Sequence, residues 1–126
     1  VLRPGYDQVG SFNRAQVEKH EHGLFPGLGK FLASIEVPCV TLPDLLAQHA
    51  VSRVDVYLVD TEGYDARIVE QIDLVTQPPR VIIYEHEHLS SHDKEKCETR
   101  IRTAGFDVCE SGGNTVAIRR NGLSAS

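Results

Sequence analysis

Two short segments gather residue types suited to acid–base chemistry. The first is Asp60-Thr61-Glu62-Gly63 and the second is Glu85-His86-Glu87-His88. A carboxylate can orient a hydroxyl or accept its proton, and an imidazole titrating at about 6.5 is a natural general base at neutral pH. His86 is the first candidate for that role, with Glu85 orienting it or the substrate. Asp60 can orient an acceptor or favour a nearby positive charge. Glu62 is an equally good candidate for a carboxylate that simply favours a helix N-terminus. Asp60 or Thr61 can also be read as a cap for the helix that follows.

Asp60, Glu62 and His86 form a mixed oxygen and nitrogen set that suits magnesium, manganese or zinc. No ligand spacing in the sequence fixes them, so no metal is expected. His88 and His92 read as exposed histidines, and His20-Glu21-His22 as solvated surface. Gly27-Leu28-Gly29 reads as a turn, because no strand precedes it and no third glycine follows at phosphate-loop spacing. Glu70, Lys94, Lys96 and Arg100 read as ordinary exposed helix charges.

The elements that position these groups follow from apolar spacing. Val54 to Asp60 is nearly continuous apolar sequence, which predicts a strand buried on both faces. Arg80 to Glu85 predicts a second one. A helix from about Tyr64 to Val75, stopped by Pro78-Pro79, joins them into a strand–helix–strand unit whose strands run parallel. In such sheets, ligands sit beyond the carboxyl ends of the strands, where both acidic segments emerge.

Upstream, residues 1–10 read as loop and Ser11 to His20 as a short helix. Ile35 to Val40 predicts a strand pushed to an edge or an end by Pro38. Thr41 predicts a helix cap with Asp44 at the reciprocal position and Pro43 tolerated in the first turn. That helix runs to about Ala50 with Leu42, Leu45, Leu46 and His49 on one face. Downstream, Ser90 and Ser91 open a surface helix that Gly105 ends. Phe106–Glu110 and Thr115–Arg120 then form a hairpin around Ser111-Gly112-Gly113-Asn114. The fold class expected is α/β: a mostly parallel sheet with flanking helices and a C-terminal antiparallel hairpin.

The chain is 126 residues long with a net charge of −5 and scattered basic residues. It therefore lacks the electrostatic footprint of a nucleic-acid binder. No apolar run reaches the roughly 18 residues that cross a bilayer, so no membrane partner is expected. Cys39, Cys97 and Cys109 are far apart and odd in number, which predicts free thiols and a cytoplasmic location. Val1 with no methionine anywhere suggests a chain cut from something longer.

Three ordered motifs carry a resemblance. They are Thr41-Leu42-Pro43-Asp44-Leu45-Leu46, then Asp60-Thr61-Glu62-Gly63-Tyr64-Asp65, then Val81-Ile82-Ile83-Tyr84-Glu85-His86. Together with Gly105-Phe106 and Asn114-Thr115-Val116-Ala117, they resemble the C-terminal half of an FkbM-type methyltransferase over residues 35–120. The resemblance implies a partial class I, Rossmann-like methyltransferase fold, with residues 1–34 as lead-in and 121–126 as tail. It implies methyl transfer from S-adenosylmethionine, usually to a hydroxyl of a small molecule or sugar. Asp60 would then serve both the cofactor and the acceptor, and Glu62, Glu85 and His86 would be catalytic. The glycine loop and ribose-binding acid of such a fold have no counterpart in this chain. Two alternatives stand beside this one: a non-catalytic interaction module, and a small metal-dependent hydrolase using Asp60, Glu62 and His86. The oligomeric state is open, a homo-oligomer included.

Overall fold

The computed structural model describes Ser11, residues 14–19 and residues 26–120. The loop expected over 1–10, the His20-Glu21-His22 cluster and the tail 121–126 lie outside the described residues. Four strands form one sheet: β1 (Val56–Val59), β2 (Val81–Glu85), β3 (Phe106–Ser111) and β4 (Asn114–Arg119), in the order β1-β2-β4-β3. The helices are α1 (Arg14–Lys19), α2 (Leu42–Gln48), α3 (Asp65–Val69) and α4 (Ser91–Thr103).

β1 and β2 are parallel, as the strand–helix–strand unit requires, with Val56 opposite Val81 and Val59 opposite Tyr84. β4 runs antiparallel to both β2 and β3. The sheet is therefore mixed, and the expectation of a mostly parallel one is corrected. Only one strand–helix–strand crossover is present among the described residues, and the hairpin contributes the antiparallel pairings. Gly112 takes φ 59°, the left-handed conformation that a two-residue hairpin turn demands.

Strand periodicity divides the sheet into two unlike faces. On the inner face Val59, Ile82, Tyr84, Phe106, Thr115 and Ala117 are buried. They pack with Ala66 and Val69 of α3 and with Cys97 and Ile101 of α4 into one core. Burial pushes the Cys97 thiol up to about 11, so it acts as a packing group. All three cysteines are free.

The other face is also apolar, yet nothing among the described residues covers it fully. Leu58, Val56 and Ile118 are 74%, 55% and 53% exposed, with half-buried Val81, Ile83 and Val116 between them in register. The expectation of a strand at 54–60 buried on both faces is thus corrected. Its apolar run is real, but only one side of it is covered.

Two further elements depart from expectation. Residues 32–40 form no strand and are mostly exposed, with Ile35 at 81%. β1 and β3 are the two edges of the sheet, neither is extended by this segment, and Pro38 removes one of the donors a further ladder would need. The helix expected to reach Val75 stops at Val69. Beyond it, Gln71 and Ile72 donate to carbonyls three residues back, tightening the chain. Asp73 then accepts the amides of Val75 and Thr76 at 2.9 and 2.8 Å and the Thr76 hydroxyl. Those bonds, the Thr76 hydroxyl foremost, hold the Asp73 carboxyl down at about 2.

The caps fall where expected. The Thr41 hydroxyl accepts the Asp44 amide and donates to the Asp44 carboxylate at 2.6 Å. Ser90 does the same with Asp93 at the start of α4. α2 is well capped but lightly docked: Leu42 and Leu46 are half-buried and Leu45 is exposed.

Of the α4 charges, Lys96 is exposed as expected, whereas Lys94 and Arg100 are half-buried, and all three tie α4 to its neighbours. Lys96 pairs with Glu70 at 2.6 Å, and Lys94 with Glu110 at 2.8 Å. Arg100 donates to the carbonyls of Val69 and Ile72 at 3.1 and 2.7 Å, closing the end of α3. The Val69 carbonyl also takes the Ile72 amide at 3.2 Å, so the guanidinium adds a second bond there and satisfies the Ile72 carbonyl beyond the helix. Arg100→Ala is expected to cost about 2 kcal/mol in urea unfolding, since charge-assisted hydrogen bonds are the stronger kind. Arg100→Lys should recover only part, because an ammonium lacks the fork.

Candidate active site at the strand ends

The parallel register places the carboxyl ends of β1 and β2 side by side. Asp60 follows directly on β1, and Glu85 is the last residue of β2. Between β1 and α3 the chain makes a tight turn in which Glu62 takes φ 53° and Gly63 φ 96°. The first is a left-handed conformation at a residue with a side chain, which needs support.

Asp65 supplies that support. It is fully buried, and its Oδ2 accepts the Thr61 hydroxyl at 3.0 Å and the amides of Gly63 and Thr61 at 3.3 and 3.4 Å. The Ser11 hydroxyl adds a bond to the Glu62 carbonyl at 2.8 Å. Neither Asp60 nor Thr61 caps α3. The N-cap is Tyr64, which makes no side-chain capping bond. Asp60 is left exposed at the strand tip, without the structural duty that capping would have given it.

Glu62 and Glu85 converge, and the imidazole that joins them is His88. Its Nε2 lies 3.5 Å from Glu62 Oε2 and 3.9 Å from Glu85 Oε2. One ligand atom from each of the three falls within 4.8 Å of the others. Glu85 Oε2 is buried and has no hydrogen-bond partner. Burial raises the Glu85 carboxyl above the usual range; His88 opposes this, and the charges of Asp60, Glu62 and Asp65 add to it.

His86 does not join this group. Its Nδ1 is 2.8 Å from the Thr115 hydroxyl and its Nε2 3.5 Å from Glu110, both on the inner face. Its amide donates to the Gly113 carbonyl at 2.8 Å, which pins it to the hairpin. Alternation along β2 sends Glu85 to the open face and His86 to the helix face. The pairing of Glu85 with His86 as orienter and base is therefore not assembled. The same separation breaks up the Asp60, Glu62 and His86 ligand set. His92 is exposed on α4.

Two residues of the site escaped the sequence reading. His88 sits in a turn, where no periodicity predicts direction. Asp65 carried a weak signal, being a carboxylate two residues after a glycine in a turn flanked by polar groups.

The geometry is that of an acidic, partly buried cluster at the carboxyl ends of a parallel pair in an α/β sheet. Comparison with known proteins gives the class: the family model for the FkbM methyltransferase domain matches residues 5–111. The chain belongs to that family. The match begins upstream of residue 35, where the resemblance was traced, and takes in all the acids and histidines of the site. No curated protein and no solved structure is significantly similar to the chain. No helix among the described residues is long and apolar enough to cross a membrane.

Proposed function

We propose that the chain is the acceptor side of an S-adenosylmethionine-dependent methyltransferase that acts on a hydroxyl of a small molecule or sugar. The observation that carries this reading, beside the family match, is the convergence of Glu62 and Glu85 where the parallel strands end, with Asp60 at the neighbouring tip of β1. Asp60 is exposed and directed by the end of β1, so it can hold an acceptor hydroxyl and take its proton. Glu85, with its raised affinity for a proton, is suited to orient the acceptor as a donor or as a base.

When bound, S-adenosylmethionine supplies the electrophilic methyl group. The described residues do not fit its nucleotide end. Gly27 caps a short 3₁₀ turn at Leu28–Phe31 and Gly29 lies within it, and no strand precedes them among the described residues. No strand–helix connection with a glycine-rich loop occurs among the described residues, the β1–α3 turn holding the single Gly63, so we assign that task to a complementary lobe. The open apolar face of Val56, Leu58, Val81, Ile83, Val116 and Ile118 and the free edge of β1 are the natural seat for it.

The same face favours a second reading, an interaction module that has kept the half-sheet without the chemistry. Labelled methyl transfer separates the two. The assay uses the encoded protein, with any residues that precede Val1 included, and a panel of hydroxylated acceptors. Label on an acceptor oxygen supports methyl transfer. No transfer from a folded protein that also gives no calorimetric heat with S-adenosylmethionine supports the module.

A further inference from the structure

The cluster of Glu62, Glu85 and His88 has the dimensions of an ion site. Metal–oxygen and metal–nitrogen bonds of about 2.0–2.2 Å place neighbouring ligand atoms roughly 3 to 4 Å apart. The His88 Nε2 distances, 3.5 and 3.9 Å, fall in that range. They are too long for hydrogen bonds, so the imidazole is not simply satisfied by either carboxylate. The three donors come from three places in the fold: the β1–α3 turn, the end of β2 and the β2–α4 turn.

A second observation points the same way. Two buried carboxylate oxygens at this end of the sheet have no partner, Glu85 Oε2 and Asp65 Oδ1. Asp65 has no exposed surface, and its other oxygen takes three donors of the turn. Its charge and that of Asp60 both reach Glu85. Among the described residues no lysine or arginine pairs with Glu62 or Glu85. A buried carboxylate oxygen without a partner is costly, and protonation or a bound cation relieves it; the His88 imidazole beside Glu62 and Glu85 completes a donor set for a cation.

We propose that Glu62, Glu85 and His88 bind a transition-metal dication of the manganese or zinc class. One imidazole beside two carboxylates favours these ions over calcium, which takes oxygen ligands in larger number. Asp65 is the positioning residue that fixes the turn carrying Glu62. The site goes beyond the methyl-transfer reading, and its occupancy is measured without any activity.

Titration of the chelator-treated protein with Mn²⁺ and with Zn²⁺, followed by calorimetry, tests the proposal. One ion per chain is expected for at least one metal. His88→Ala and Glu85→Gln should each weaken binding at least tenfold, with circular dichroism confirming the fold. His92→Ala, on the exposed surface of α4, should leave the affinity unchanged. Absence of binding by the folded wild type overturns the proposal. So does affinity that survives H88A and E85Q but is lost on replacing His20 and His22.

Discussion

Phe106→Ala is expected to destabilise the protein by about 4 kcal/mol, the largest effect of any single truncation considered. Phe106 opens β3, is wholly buried, and packs in the core shared with Ile101 of α4 and Ala117 of β4. That core lines one side of the sheet only, so there is little elsewhere to offset a cavity. Small domains retain roughly 5–15 kcal/mol, and the variant should sit close to its unfolding midpoint in dilute urea. Leu58→Thr provides the contrast. It removes a residue of similar hydrophobicity from β1, but one that is 74% exposed. Threonine keeps the strand preference, so the change should stay within about 0.5 kcal/mol. Equal losses from the two substitutions would mean that the second face is covered after all.

Asp65→Ala is expected to cost about 2–3 kcal/mol and to loosen the site at the same time. Three donors lose their acceptor, and a left-handed Glu62 loses the bonds that hold it. Carrying a side chain through that conformation costs about 1–2 kcal/mol, which the Asp65 carboxylate helps to offset. Asp65→Asn keeps one acceptor oxygen and should fall between wild type and alanine. Urea unfolding gives the stability. Hydrogen exchange at the Gly63 amide reads the turn directly, and protection there should fall in step with the substitution. Unchanged exchange in D65A would show that the turn is held by other groups.

Much of this architecture is legible from residue types because the signals are local. Thr41 and Ser90 each stand three residues ahead of an aspartate, and each makes the capping pair that such spacing predicts. Gly105, with φ 91°, ends α4, and the Gly112-Gly113 pair turns the hairpin. The features that were not legible depend on distant partners. Arg100 looks like one more exposed helix charge until the end of α3 is placed beside it. Ile35–Val40 has strand-like composition, but a strand exists only if an edge accepts it.

The site divides along the same line. Asp60, Glu62 and Glu85 are legible because strand ends in a parallel pair deliver them by register. His86 and His88 exchange expectations, since the alternation of β2 carries His86 inward and the following turn brings His88 back. The apolar run of β1 records both faces of the strand, although the described residues cover one. Its rows of Val56–Val81–Ile118 and Leu58–Ile83–Val116, half-buried at their centre, form the face on which the proposed complementary lobe would sit.

The kinetic effect of Asp60→Asn on labelled methyl transfer tests the central claim most directly. Asp60 is exposed and makes no side-chain hydrogen bond among the described residues, so the fold should be untouched and the melting temperature unchanged. If the carboxylate at the tip of β1 holds the acceptor and takes its proton, kcat/KM should fall about 100-fold or more. Transfer at the wild-type rate by a folded D60N protein would contradict the assignment of chemistry to this end of the sheet.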